Sequence, residues 1–177
     1  MRTAALLIVA ALLSFAVAAK DMEAYYKRTG AKFLADKEKE AGVYKLPSGL
    51  LFKYLKKGDG AKSPTANDDC SVHYAGTLRD GTKFDSSYDR GSPATFKPTQ
   101  VIKGWTEALQ LMREGDIWEV YIPYELGYGA RGSPPKIPGF SPLVFKMELL
   151  AVKGKGKDAA DAISELETKL GKSYAEL

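Results

Sequence analysis

The sequence contains a single cysteine, Cys70, and a single histidine, His73. No disulfide can therefore form within one chain, and metal sites that need several thiolate or imidazole ligands are excluded. The lone histidine also leaves Ser-His-Asp and Cys-His nucleophilic centres without a strong candidate. Residue alternation places Cys70 on one face of a strand and His73 on the other, so we interpret both as structural residues. We expect neither a metal ion nor a cofactor.

The sequence also lacks long blocks of like charge. Its 26 basic and 22 acidic residues leave a formal charge of only +4, which favours an ordinary solvated surface over a nucleic-acid-binding one. Hydrophobic residues make up 45% and charged residues 27%, which is typical of a globular protein. With 177 residues, the chain fits one domain with extensions.

One long apolar run is present, and it lies at the N-terminus. Residues 4–17 are interrupted only by Ser14, follow the basic Arg2, and lead into small residues at positions 16–19. This pattern predicts a cleaved signal peptide over residues 1–19. An uncleaved N-terminal anchor is the alternative. We expect a secreted, secretory-pathway or periplasmic protein with no membrane span once the signal is removed.

Two nucleotide-binding motifs are matched only in part. Residues 127–132 fit G-x-G-x-x-G, but Ser133-Pro134-Pro135 follows and cannot open the helix that would hold a pyrophosphate. Gly171-Lys172-Ser173 resembles the end of a phosphate loop, but Leu166 occupies the place of its first glycine. Neither segment predicts a nucleotide site.

Hydrophobic periodicity predicts an α+β fold. A helix is expected over residues 22–41, with Met22, Tyr25, Tyr26, Thr29 and Phe33 in its apolar stripe and Gly30 as an interruption that weakens the helical pattern. A short helix is expected over 101–112, and Asp158 can cap a C-terminal amphipathic helix. Between them the period changes to two, and Gly, Pro and Asp turns separate the strands, which indicates a mainly antiparallel sheet with the short helix across one face. The predicted strands cover residues 43–46, 50–56, 69–79, 83–86, 117–123 and 143–152. The Lys-Gly alternation at 153–157 is expected to be a flexible joint.

Five groups of residues then carry a specific resemblance. In chain order they are Val72-His73-Tyr74-Ala75-Gly76, residues 80–87 (Asp-Gly-Thr-Lys-Phe-Asp-Ser-Ser), Val101-Ile102-Lys103-Gly104-Trp105, Gly127-Tyr128-Gly129-Ala130, and Leu143-Val144-Phe145 with Glu148-Leu149-Leu150. Their order and spacing resemble the FKBP-type peptidyl-prolyl cis–trans isomerases. The N-terminal design, with a helix and Pro-Ser-Gly-Leu before the domain, is similar to the secreted Mip-like branch, although the helical arm is short and we expect it to lack the Mip-like dimerisation module. The oligomeric state is left open.

The resemblance implies domains, activity and partners. It implies an N-terminal helical arm over residues 20–42, an isomerase domain over 43–153 with a twisted antiparallel sheet wrapped on a short helix, and a C-terminal linker and helix over 154–177. It implies an enzyme that rotates X-Pro bonds in polypeptides and binds macrolides such as rapamycin or tacrolimus. Two other readings stay open: a module that captures proline-containing segments without turnover, and an interaction protein that works through its terminal helices.

The resemblance also implies the site residues. Trp105 is expected to form the floor beneath the prolyl ring, Tyr128 to donate a hydrogen bond to a substrate carbonyl, and Asp85 to orient polar groups at the rim. The Ile102 amide is a second expected donor. The remaining catalytic and substrate-binding residues are expected as walls: Tyr74, Phe145, Phe84, Val101, Ile102 and Ile137. Ala94, Ser133 and Lys136 depart from the commoner family residues, and we expect these departures to alter selectivity at the rim.

Overall fold

The computed structural model describes the backbone of residues 2–177 and the side chains of residue 18 and residues 20–177. Most side chains of the predicted signal peptide, residues 1–19, lie outside the described residues, so the signal peptide stays a prediction. The described chain forms three α-helices and nine strands. They are α1 (Arg2–Lys37), β1 (Val43–Lys45), β2 (Leu51–Lys56), β3 (Lys62–Ser63), β4 (Asp69–Leu78), β5 (Lys83–Ser86), β6 (Ala94–Phe96), α2 (Lys103–Leu111), β7 (Ile117–Ile122), β8 (Leu143–Lys153), β9 (Lys157–Asp158) and α3 (Ala159–Leu170).

Seven of the strands build one antiparallel sheet in the order β1-β2-β7-β8-β4-β5, and β6 pairs with β4 beside this path. Alternate residues of β4 are buried, which places Cys70, Val72 and Tyr74 on the core face as the alternation predicts. The short helix α2 packs Trp105 and Leu109 into the same core. The predicted α+β fold, a sheet wrapped on a short helix, is confirmed.

Helix α1 ends earlier than predicted and packs with a different face. It stops at Lys37 instead of Ala41, and Gly42 takes a positive φ of 76° in the turn that follows. Tyr25, expected in the apolar stripe, is 44% exposed. Gly30 was expected to weaken the helix, yet it is buried, with its backbone against the ring of Pro142. The prediction considered only apolar side chains, whereas the helix packs closest to its neighbour at a glycine, because glycine has no side chain to keep the two backbones apart.

The segment expected as a flexible joint before α3 is shorter than predicted, because Lys153 is the last residue of β8 and Lys157 belongs to β9. Lys157 and Asp158 form β9, which pairs with Ser63 and Lys62 of β3. Asp158 then caps α3 as predicted, because its side chain accepts a hydrogen bond of 2.9 Å from the Ala160 amide. Leu166 on α3 is fully buried in the main core, so the C-terminal helix is part of the packed domain.

In the part of the chain that the structure describes, no helix has the length and apolar character needed to cross a bilayer.

Candidate functional site

A cavity of about 670 Å³ opens between α2, the sheet and the long loop that joins β7 to β8. All nine residues predicted as site residues line it: Tyr74, Phe84, Asp85, Val101, Ile102, Trp105, Tyr128, Ile137 and Phe145. They come from β4, β5, β8, α2 with the turn before it, and the long loop. The fold therefore brings together residues up to 71 positions apart (145 − 74). Their catalytic roles stay predictions.

Aromatic rings give the cavity a box-like geometry around Trp105. The rings of Tyr74, Phe96 and Phe145 lie 5.1, 5.6 and 5.2 Å from the indole, at interplanar angles of 85°, 90° and 83°. Edge-to-face pairs of this kind are favourable because a positive ring edge meets a negative ring face. Trp105 is only 4% exposed. The side chains thus form a rigid apolar cup with Trp105 at its base.

Gly76 on β4 makes room for two walls of this cup. A Cβ added at this position would lie 2.6 Å from Cε1 of Phe145 and 2.7 Å from two ring atoms of Phe84. Ordinary contacts between carbon atoms are about 3.5–4.0 Å long, so no side chain fits here without displacing both rings. The glycine in the Val72–Gly76 string is thereby explained by the pocket and not by a turn.

A polar triad holds one side of the rim. The Tyr74 hydroxyl donates to Asp85 Oδ2 at 2.5 Å, and the Arg90 guanidinium donates both to Asp85 Oδ1 and to the Tyr74 hydroxyl. Burial acts to raise the pKa of Asp85, but the hydrogen bonds from Tyr74 and Arg90 outweigh it and hold this pKa below its ordinary value. Asp85 is therefore a fixed anion and not a proton donor at neutral pH.

Both hydrogen-bond donors predicted from the sequence, the Tyr128 hydroxyl and the Ile102 amide, have no acceptor among the described residues. The Tyr128 side chain is 40% exposed, and no described residue accepts from its hydroxyl. Burial, together with the negative charge of Asp85, raises the pKa of Tyr128, so its phenol stays protonated and able to donate. The Ile102 amide precedes the first turn of α2, where backbone N–H groups have no partner within the helix.

The long loop closes the other side of the cavity. Ser133 and Ile137 exchange backbone hydrogen bonds of 2.8 and 3.0 Å, which turns Ile137 toward the pocket lining. Lys136 then donates to the Phe84 carbonyl at 3.1 Å and ties the loop to β5. The predicted rim residues Ser133 and Lys136 do line the cavity.

Sequence reasoning missed several contributors. Phe96, Gln100, Pro134 and Pro135 also line the cavity, whereas Ala94, expected at its edge, is not among the lining residues. Ala94 begins β6 opposite Val72, and Phe96 two residues later supplies the ring. A count of aromatic residues in the segment before α2 would have found Phe96. No sequence signal pointed to Arg90, because it lies in the turn after β5 and its partners, Tyr74 and Asp85, lie on β4 and β5.

The cavity's chemistry is that of an apolar binding cup with few polar groups. Within the described residues, no group of three or more His, Cys, Asp or Glu side chains is placed to hold a metal ion. The cup has no nucleophile next to a base. It can bind an apolar ring, accept and donate hydrogen bonds at its rim, and exclude water from its floor.

Comparison with known proteins agrees with this geometry. Residues 60–150 match the family model described as FKBP-type peptidyl-prolyl cis-trans isomerase. The chain is 53% identical over 142 residues to the macrophage infectivity potentiator of Trypanosoma cruzi, an alignment that covers 79% of this chain and 72% of the relative. It is 50% identical to the peptidyl-prolyl cis-trans isomerase Mip of Coxiella burnetii, over 70% of this chain and 53% of that protein.

Solved structures of similar fold are also peptidyl-prolyl isomerases or their relatives. The crystal structure of FkpA from Escherichia coli superposes with a TM-score of 0.71 at 38% identity, over 82% of this chain and 71% of that one. The crystal structure of a peptidyl-prolyl cis-trans isomerase from Pseudomonas syringae pv. tomato superposes with a TM-score of 0.69 at 39% identity, over 73% of this chain and 95% of that one. The family model, the sequence relatives and the fold agree, and the chain belongs to the Mip-like branch of an enzyme family, the FKBP-type peptidyl-prolyl cis–trans isomerases.

Proposed function

We propose that this pocket is where the protein accelerates cis–trans isomerisation of X-Pro bonds in polypeptides, without metal or cofactor. The observation that carries the proposal is the aromatic cup, in which three rings stand nearly perpendicular to Trp105. A prolyl ring is apolar and compact, and such a cup buries it on several sides. The activity of the family to which the chain belongs supports the same assignment.

The reaction needs no bond to be made or broken. Amide resonance imposes a rotation barrier of about 18–20 kcal/mol, and uncatalysed X-Pro exchange takes about tens to hundreds of seconds. A protein lowers this barrier only if it binds the twisted amide better than either planar form. The twisted amide has a less dipolar carbonyl and a more pyramidal nitrogen, so a dry aromatic surface favours it over the planar amide.

The polar groups of the site supply orientation in this mechanism. The Tyr128 hydroxyl would donate a hydrogen bond to a substrate carbonyl, and the Ile102 amide would donate one to a second substrate carbonyl. Asp85 is already engaged by Tyr74 and Arg90, so its role would be to keep the Tyr74 ring against Trp105 and the rim in shape. A rigid rim matters because catalytic contacts act only when they are in place before the substrate arrives.

Macrolide binding is a further part of the proposal. The cavity is mostly aromatic and apolar, and the donors of Tyr128 and Ile102 belong to its lining, which suits a large apolar ligand with several carbonyl groups. We therefore expect rapamycin and tacrolimus to compete with substrate. We also propose that the protein acts after export, as the apolar run over residues 4–17 suggests, and mass spectrometry of the secreted protein would locate the cleavage site.

The test is the isomerisation rate of a short X-Pro peptide with the protein, with Tyr128→Phe and Asp85→Ala, and with added rapamycin. We expect acceleration by the native protein, a lower kcat/KM in both variants, and loss of the acceleration with rapamycin. Folded protein that fails to accelerate exchange would refute the enzyme assignment and favour a module that only binds proline-containing segments. Acceleration that is insensitive to both substitutions would place catalysis elsewhere.

A further inference from the structure

Helix α1 contacts the long loop at residues that do not line the pocket. Lys27 Nζ lies 4.6 Å from the ring centre of Phe140, a distance at which the ring face attracts a cation. The helix backbone also comes close at Gly30, where an added Cβ would lie 3.1 Å from Pro142 Cδ and 3.6 Å from the Phe140 carbonyl. The helix and the last residues of the loop are therefore in direct contact.

Phe140 links this contact to the pocket. Its φ of 59° lies in the left-handed region, which is unfavourable for a bulky residue and must be held by its surroundings. The Tyr124 ring packs edge-on at 5.3 Å, and the Phe140 amide donates to the Gly129 carbonyl at 3.0 Å. Gly129 directly follows Tyr128, the free donor at the pocket. The position of Tyr128 thus depends on a residue that α1 covers.

The same helix also reaches the opposite wall. The Arg79 guanidinium lies 5.8 Å from the Tyr25 ring and 5.6 Å from the Tyr26 ring. Arg79 begins the turn between β4 and β5, and this turn is tight because the Leu78 amide donates to the Thr82 carbonyl at 2.9 Å. Strand β5, which follows, carries Phe84 and Asp85 into the pocket.

We propose that residues 25–30 of α1 form a brace that sets the spacing between the loop carrying Tyr128 and the hairpin carrying Asp85, and thereby raises the rate of isomerisation. This inference rests on the proposed function of the pocket. Residues Tyr25, Tyr26, Lys27 and Gly30 are positioning residues, since they touch the two walls from outside and not the cavity. The brace also accounts for the buried glycine within the helix, because even a Cβ at position 30 would lie 3.1 Å from Pro142 Cδ, and a larger side chain has no room there unless α1 or Pro142 moves.

The test uses substitutions that separate the helix from one wall at a time. Gly30→Leu keeps a good helix former in α1 but cannot fit against Pro142. Arg79→Gln removes the cation that faces the two tyrosines, and Arg79→Lys restores a cation. Lys32→Ala is the matched control, because Lys32 is 75% exposed and its ion-pair partner, Asp36, is on the same helix. Each protein is assayed for kcat and KM on an X-Pro peptide after urea titration has verified that it is folded.

We expect Gly30→Leu and Arg79→Gln each to lower kcat/KM by about tenfold, chiefly through kcat, because misplaced catalytic groups lose transition-state contacts. The double variant should lose less than the product of the two single effects, since both act through one docked helix. Arg79→Lys should recover most of the rate, and Lys32→Ala should match the native protein. Full activity in folded Gly30→Leu, or an equal loss in Lys32→Ala, would overturn the brace.

A second readout separates this inference from the proposed function. Amide chemical shifts of Asp85 and Tyr128 report the two walls whether or not the protein accelerates exchange. We expect both shifts to change in Gly30→Leu and to stay constant in Lys32→Ala. If the native protein is inactive, the proposed function fails while the shifts still decide whether α1 positions the walls. Unchanged shifts at both residues would refute the brace.

Discussion

Replacing Gly76 by alanine should displace two walls of the pocket, because Gly76 pairs with Phe145 between β4 and β8 and also contacts Phe84. The added methyl carbon would lie 2.6 Å from Phe145 and 2.7 Å from Phe84, so each ring has to withdraw by about 1 Å to reach an ordinary contact of about 3.5 Å. Both rings belong to the core and to the cavity wall. The substitution therefore tests packing and catalysis together.

The size of both effects follows from this displacement. Overpacking a core typically costs about 1–3 kcal/mol, so the free energy of unfolding should fall by that amount. A misplacement of about 1 Å at catalytic groups can cost on the order of 100-fold, and we expect kcat/KM to fall between about 10-fold and 100-fold. The assays are urea unfolding and isomerisation of an X-Pro peptide under conditions where the variant is fully folded.

Leu166→Ala is the control for stability alone. Leu166 is fully buried on α3 and does not line the cavity. Its truncation should lower the free energy of unfolding by about 2–5 kcal/mol and leave kcat/KM unchanged for the folded protein. If Gly76→Ala behaves in the same way, losing stability but keeping native kcat/KM, the argument that Gly76 shapes the catalytic cup is wrong.

Two further predictions concern ionisable groups. Burial tends to raise the pKa of Asp85, but the hydrogen bonds from Tyr74 and Arg90 lower this pKa overall in the folded protein. The ionised Asp85 therefore stabilises the fold at pH values above its pKa in the unfolded chain, and this stabilisation is lost as the pH falls through its pKa in the folded protein. Urea unfolding of Asp85→Asn should thus show a weaker loss of stability than the native protein on acidification below about pH 4, and parallel curves would contradict this. Burial, followed by the charges of Asp68 and Asp69, raises the pKa of Cys70 to about 12, so Ellman's reagent at pH 8 should label it only after unfolding in urea. Rapid labelling of the native protein would show that the thiol is accessible and ionised.

Much of the fold was predictable because its signals are local. The alternation in residues 69–79 and the apolar spacing in 101–112 gave β4 and α2 nearly to the residue, since each element buries one face. The strands β3, β6 and β9 were missed, because they have only two or three residues and exist through pairing with strands far away in the chain. The packing of α1 was missed too, because its close contact with Pro142 is made at Gly30, which has no side chain to mark a buried position.

Some residues of the candidate site were predictable from the sequence and others were not. Order and spacing of the motif strings pointed to Trp105 and Tyr128, and the structure places both in one cavity. Arg90 and Phe96 were not found, because their importance comes from contacts with Tyr74, which lies on β4 and is distant from both in the chain. Such contacts depend on tertiary geometry, which periodicity in a single sequence does not encode.

The most direct test of the central claim is two-dimensional exchange spectroscopy on an X-Pro peptide with a small molar fraction of the protein. A catalyst binds the twisted amide best, so it should produce exchange cross-peaks between the cis and trans forms while their populations remain those of the free peptide. That result would support the pocket as an isomerase site. A changed ratio of cis to trans peptide at stoichiometric protein, with no exchange cross-peaks at any concentration, would contradict the account and indicate a protein that selects one isomer without interconverting them.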